Sequence, residues 1–123
     1  GKMICILGAA GGGRDKWKRP VLGKLAATYC DRVIITNEDP YEEDPKSLVD
    51  ELGSKMQKKQ LVLLYRRKAM ARAFEMAQSG DAVLITGKGT DPTIQGPNHT
   101  AIPWSDAAVA REELNNLSSK GII

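Results

Sequence analysis

Three short runs of uninterrupted apolar residues constrain this chain most: MICILG (Met3–Gly8), RVIIT (Arg32–Thr36) and AVLITG (Ala82–Gly87). None alternates with polar residues, so each demands cover on both faces, as a strand inside a parallel sheet does. The stretches between them carry helical spacing. Val21, Leu22, Leu25, Ala26 and Tyr29 predict a helix with that face on the core. Asp44 predicts an N-cap with Pro45 at the first helical position, followed by Leu48, Val49, Leu52 and Met56 on one face. QLVLLY (Gln60–Tyr65) fits either a strand or the start of a helix. Ala69, Met70, Ala73, Phe74 and Ala77 form another helical face, with Gly80 positioned to cap its end. Lys88 to Pro103 reads as a loop with room for a small hairpin, and Ser105 or Asp106 opens a last helix running to about Ser118.

Strands alternating with helices predict an α/β fold: a Rossmann-like, open, mostly parallel sheet with helices on both faces. Such sheets bind ligands at the carboxyl ends of their strands, beside the topological switch point. Three loops leave carboxyl ends here, GAAGGGRDK, NEDPYEEDP and GKGTDP, and a site would be built from them.

Composition removes several alternatives. A length of 123 residues fits one domain, and 41% hydrophobic with 27% charged residues is ordinary for a globular chain. A net charge of +3 with one Phe and two Trp gives little platform for nucleic acid. The basic clusters Lys16, Lys18, Arg19 and Lys58, Lys59, Arg66, Arg67 read as solvated faces. His99 is the only histidine, which argues against a His-based metal site or catalytic triad. No apolar run reaches membrane-spanning length and no signal peptide opens the chain, so no membrane partner is expected. Cys5 and Cys30 lie among apolar residues and read as small, reduced core side chains of an intracellular protein.

The first loop resembles a P-loop in its glycines but not in its side chains. Gly8 and Gly13 have the spacing of G-x-x-x-x-G-K-[ST], yet Arg14 and Asp15 stand where Lys and a hydroxyl are needed. The glycines permit close backbone approach, and a helix N-terminus follows, which favours an anion. Arg14 supplies a planar fork for a carboxylate or phosphate. The second loop sets Glu38 and Asp39 directly after a strand, suited to an ammonium group or Mg²⁺, although Asn and Asp before Pro40 are also ordinary turn chemistry. The third, Gly87 to Asp91, offers flexible backbone, one cation and one carboxylate. Trp104 beyond it reads as a packing residue.

Taken in order, these pieces resemble the C-terminal domain of the Mur ligases, most of all the member that adds the third residue to UDP-N-acetylmuramoyl-L-alanyl-D-glutamate. That family reads roughly G-G-D-R-D-x-x-K-R-P, T-[DN]-D-N-P-[RA], D-R-x-x-A-I and G-K-G-H-E. The corresponding pieces are Gly11-Gly12-Gly13-Arg14-Asp15 with Lys18-Arg19-Pro20, Thr36-Asn37-Glu38-Asp39-Pro40-Tyr41, Arg66-Arg67-Lys68-Ala69-Met70, and Gly87-Lys88-Gly89-Thr90-Asp91. The resemblance spans essentially the whole chain.

The resemblance implies one Mur ligase C-terminal-like domain over residues 1–123, a fragment of a longer cytoplasmic, monomeric ligase of peptidoglycan synthesis. ATP and Mg²⁺ would be bound mainly by a central domain absent here, so the isolated domain should be inactive. ATP would activate a carboxylate of the UDP-N-acetylmuramoyl-dipeptide as an acyl phosphate, which the amine of the incoming amino acid then attacks. Carried over by position, Arg14 would bind that amino acid's carboxylate. Asp39 and Tyr41 would occupy the selectivity positions, Gly87 and Asp91 would complete the pocket, and Asp15, Lys18 and Arg19 would lie near the phosphates. No residue of this chain is assigned a catalytic or metal-binding role. Members using meso-diaminopimelate have Arg where Tyr41 stands, to grip the distal carboxylate. Tyr41, with the acidic Glu38, Asp39 and Asp91, therefore favours lysine or ornithine. Gly13 and Thr90 also depart from the family pattern.

Two other readings stay open on the residues alone. Gly8, Gly11 and Gly13 also satisfy a G-x-x-G-x-G pattern after a strand, which would make the chain a free-standing Rossmann-like nucleotide-binding module. The ending of the second strand in Asn37, Glu38, Asp39 and Pro40 weighs against it. The other is an interaction domain whose loops are only turns.

Overall fold

The structure, a computed structural model, describes residues 1–8, 18–36, 44, 46, 47, 50, 61–88 and 92–121. The strands are β1 (Met3–Leu7), β2 (Arg32–Ile35), β3 (Leu61–Val62) and β4 (Ala82–Ile85), followed by β5 (Thr93–Gln95) and β6 (Ala101–Pro103). The helices are α1 (Lys18–Tyr29), α2 (Arg66–Met76) and α3 (Asp106–Ser119). The first four strands form one parallel sheet in the order β3-β2-β1-β4. Cys5 lies between Val33 and Leu84, and Ile6 between Ile34 and Ile85.

Alternate side chains of these strands enter two cores, because successive residues of a strand point to opposite faces. Ile4, Ile6 and Ile34 pack with Ala69, Met70, Ala73 and Phe74 of α2 and Val109 and Leu117 of α3. Cys5, Leu7, Val33 and Ile35 face the other way, toward Ala26 and Cys30 at the end of α1. The expected helices on both faces are therefore present. Ile4, Ile6, Ile34 and Ile35 are almost wholly buried, and each is worth roughly 1.5–3 kcal/mol relative to exposure. The ambiguous QLVLLY resolves as a short strand: Leu61 and Val62 pair with Ile34 and Ile35, and α2 begins at Arg66.

The buried stripe of α1 differs from the expected one. Val21, Leu22, Leu25 and Tyr29 are exposed, whereas Gly23, Ala27 and the following Cys30 are buried. Small side chains let the helix lie close against the sheet, and the larger apolar residues are left on the outer flank. Cys5 and Cys30 are not free thiols. They form a disulfide with Cα atoms 6.1 Å apart, so the expectation of reduced cysteines is corrected. The physical reason is the crossover: α1 runs back antiparallel to β1 and delivers Cys30 over the strand, within ordinary disulfide reach. Both residues are nevertheless buried, as expected of core side chains.

The remaining boundaries follow local chemistry. Asp44 accepts hydrogen bonds from the Lys46 amide at 3.4 Å and the Ser47 hydroxyl at 3.3 Å, long contacts of the capping kind. Leu48, Val49, Leu52 and Met56 of the expected helix lie outside the described side chains, as do Lys58 and Lys59. α2 ends at Met76 with Ala77 already extended, so Gly80 is not its cap. Gly80, at φ +90°, turns the chain into β4 instead. The hairpin β5–β6 closes through Asn98 and His99, both at positive φ, the twist a tight hairpin turn requires. Ser105 caps α3, its hydroxyl accepting from the Ala108 amide at 3.2 Å.

Candidate functional site

A parallel sheet brings the ends of β1, β2 and β4 to one edge, and side-chain hydroxyls lace that edge together. Thr36, buried directly after β2, donates its amide to the Leu7 carbonyl at 2.9 Å and its hydroxyl to the Leu64 carbonyl at 3.3 Å. Thr86, directly after β4, donates its amide to the Ile6 carbonyl at 3.1 Å and its hydroxyl to the same oxygen at 2.6 Å. Each threonine is the last residue before one of the three loops. The strand order reverses between β1 and β4, so the first and third loops flank the switch point.

Gly87 follows Thr86 at φ +108° and is exposed. That backbone conformation is one a side chain adopts only under strain. Gly87→Ala is therefore expected to cost about 1–3 kcal/mol, read as a lower urea midpoint with an unchanged slope. Lys88, next along, is buried at the same edge. The sequence pattern had it as an available loop cation.

Arg66 was read as part of a solvated basic face; it is instead buried at the N-terminus of α2. Its Nε donates to Asp106 Oδ1 at 2.8 Å and its Nη2 to Asp106 Oδ2 at 2.9 Å, a bidentate pair. Nη2 also donates to the Thr86 carbonyl at 2.6 Å, and Trp104 Nε1 donates to Asp106 Oδ1 at 2.7 Å. Arg67 does face solvent, and bridges Glu112 and Glu113 of α3 at 2.8 and 3.0 Å, hydrogen bonds that raise its pKa further above the usual arginine value. Trp104 is half-buried against the core, as a packing residue should be.

Of the residues singled out from sequence, Gly87 is placed at this edge. Lys18 and Arg19 open α1, with only their backbone described. Arg14, Asp15, Asp39, Tyr41 and Asp91 lie outside the described residues. A cavity of about 360 Å³ sits beside the opposite, amino-terminal ends of β1, β2 and β4, lined by Lys2, Arg32, Arg72 and Asp81 among others. Two of its polar groups are already engaged. Asp81 accepts from the Lys2 and Gln78 amides, which holds its carboxyl below the usual range, and Arg72 meets Glu75 at 3.5 Å.

Residues 1–89 match the family described as "Mur ligase, glutamate ligase domain". The chain belongs to the Mur ligase family. It is 40% identical over 118 residues to the UDP-N-acetylmuramoyl-L-alanyl-D-glutamate–2,6-diaminopimelate ligase of Aquifex aeolicus (strain VF5), a match covering 93% of this chain and 24% of that protein. It is 38% identical to the UDP-N-acetylmuramyl-tripeptide synthetase of Roseiflexus sp. (strain RS-1), covering 98% of this chain and 25% of that one. A solved structure titled as a UDP-N-acetylmuramoyl-L-alanyl-D-glutamate–2,6-diaminopimelate ligase superposes with a TM-score of 0.86 at 27% identity, covering 95% of this chain and 24% of the other. The chain thus spans about a quarter of the length of these relatives, the portion corresponding to the Mur ligase C-terminal domain. The laced edge is the carboxyl edge of a Mur ligase C-terminal domain.

Proposed function

We propose that residues 1–123 form one domain, the amino-acid-recognising C-terminal domain of a longer, ATP-dependent ligase that extends UDP-N-acetylmuramoyl-L-alanyl-D-glutamate by a third residue. The observation that carries this is the likeness running along 93–98% of the chain to ligases named for that step. In this reading Arg14 pairs with the α-carboxylate of the incoming amino acid through its planar fork. Gly87 lets backbone approach the ligand, Asp39, Tyr41 and Asp91 select its side chain, and Asp15, Lys18 and Arg19 face the phosphates.

The donor set of this chain does not fit a resident ATP–Mg²⁺ site. Arg14 and Asp15 replace the lysine and hydroxyl such a loop needs. ATP and Mg²⁺ therefore belong, in this proposal, to the remainder of the protein. The protein is proposed to be a cytoplasmic monomer with no nucleic-acid or membrane partner. No helix among the described residues is long and apolar enough to cross a membrane.

The amine substrate is proposed to be lysine or ornithine. Tyr41 cannot make the charged pair a distal carboxylate calls for, and Glu38, Asp39 and Asp91 suit a distal ammonium. The names of two relatives above favour diaminopimelate as the second reading. Phosphate release by the full-length protein, with the UDP-dipeptide, ATP, Mg²⁺ and each amino acid in turn, separates the two. Lysine- or ornithine-dependent release is expected, together with a gain of diaminopimelate use in Tyr41→Arg. Release with diaminopimelate alone would overturn the choice of amino acid, and no release with any of them would overturn the ligase reading.

A further inference from the structure

Resting on that reading, we infer that Arg66 is a positioning residue for the amino-acid pocket: it fixes the root of the third loop through the Thr86 carbonyl. A buried arginine needs an anion and further acceptors to offset its lost hydration. Asp106 supplies the anion at 2.8 and 2.9 Å, and among the described residues a further acceptor is the backbone carbonyl of the residue immediately before Gly87. The contact is directional. The bidentate pair holds the guanidinium plane, the plane aims Nη2 at Thr86, and Trp104 Nε1 holds Asp106 in turn.

Thr86 is held from two sides. Its amide and hydroxyl bind the Ile6 carbonyl of β1, and its carbonyl binds Arg66 of α2. Gly87, with its unusual φ of +108°, offers no side chain to steady itself. The backbone of Gly87 is consequently steadied from upstream, at Thr86. Releasing the Thr86 carbonyl should shift or loosen the backbone that the proposed amino acid meets. Misplacement of a binding group by about 1 Å can cost up to 10²-fold.

The test is steady-state kinetics of the full-length ligase carrying Arg66→Met with Asp106→Leu. Exchanging both partners for apolar residues removes the buried charges together and commonly preserves the fold. The expected result is a rise of roughly tenfold or more in KM for the amino acid with KM for ATP within about twofold. An unchanged amino-acid KM, or a parallel rise in both constants, would overturn the inference. If the double variant does not fold, Arg66→Lys serves, since it keeps a cation opposite Asp106 but has no second nitrogen to reach Thr86. Amide exchange over Thr86–Lys88 gives a reading that needs no substrate: faster exchange in the variant is expected, and unchanged exchange also counts against the tether. A wild-type enzyme inactive with every amino acid would sink the proposed function instead, and would leave the exchange result to stand by itself.

Discussion

Asp106→Ala is expected to destabilise the 123-residue chain by about 3–5 kcal/mol, the usual consequence of leaving one half of a buried ion pair uncompensated. The Arg66 side chain that would lose its carboxylate is 1% exposed, so water cannot take over that role. Trp104 would lose the acceptor for its Nε1 proton, and α3 would lose an acidic residue from its first turn. The Arg66→Met/Asp106→Leu exchange should recover most of that loss, because it strands no charge. Urea unfolding of the two variants side by side checks the point. A small effect of Asp106→Ala, comparable with that of an exposed pair such as Arg67–Glu112, would mean that Arg66 escapes to solvent when its partner is removed.

The same pair marks the boundary of what the sequence reveals. The parallel sheet was legible because MICIL, RVII and AVLI are continuous apolar runs, although cover on both faces holds only for the first two: AVLI is an edge strand with Ala82 and Leu84 exposed. The three loops followed from it without further assumption. Arg66 was not legible. An arginine beside Arg67 and Lys68 has the composition of a solvated helix face, and only the arrival of α3, 40 residues later, puts a carboxylate against it. The serine-aspartate start of α3 was a sequence signal for a cap, but it says nothing about which arginine that aspartate meets. On α1 the error had the opposite sense. Hydrophobicity pointed to Leu22, Leu25 and Tyr29, whereas close approach to the sheet selected Gly23, Ala27 and Cys30. Packing distance, rather than apolarity, decided that face.

Reduction of the Cys5–Cys30 disulfide is expected to cost the 123-residue chain about 3.5 kcal/mol, as the loop entropy of a 25-residue separation implies. The closed segment holds the end of β1, the whole glycine-rich loop with Arg14, and α1. In the unfolded chain the bond keeps these pieces together, so the gain arises there more than in any native contact. The native packing barely depends on it, since both sulfurs are buried among apolar neighbours and reduced cysteines fill the same space as small hydrophobic side chains. Stability and function should therefore separate. A reductant should lower the urea midpoint of the wild-type chain and leave that of Cys5→Ala/Cys30→Ala unmoved, while the full-length ligase keeps its KM for the amino acid in either redox state. The proposed cytoplasmic setting makes this separation necessary, because thiols there are held reduced unless a disulfide is thermodynamically resistant. A domain that needed the bond to shape its first loop would be inactive where it works. Equal midpoints for wild type with and without reductant would show that the two cysteines contribute as packed thiols alone.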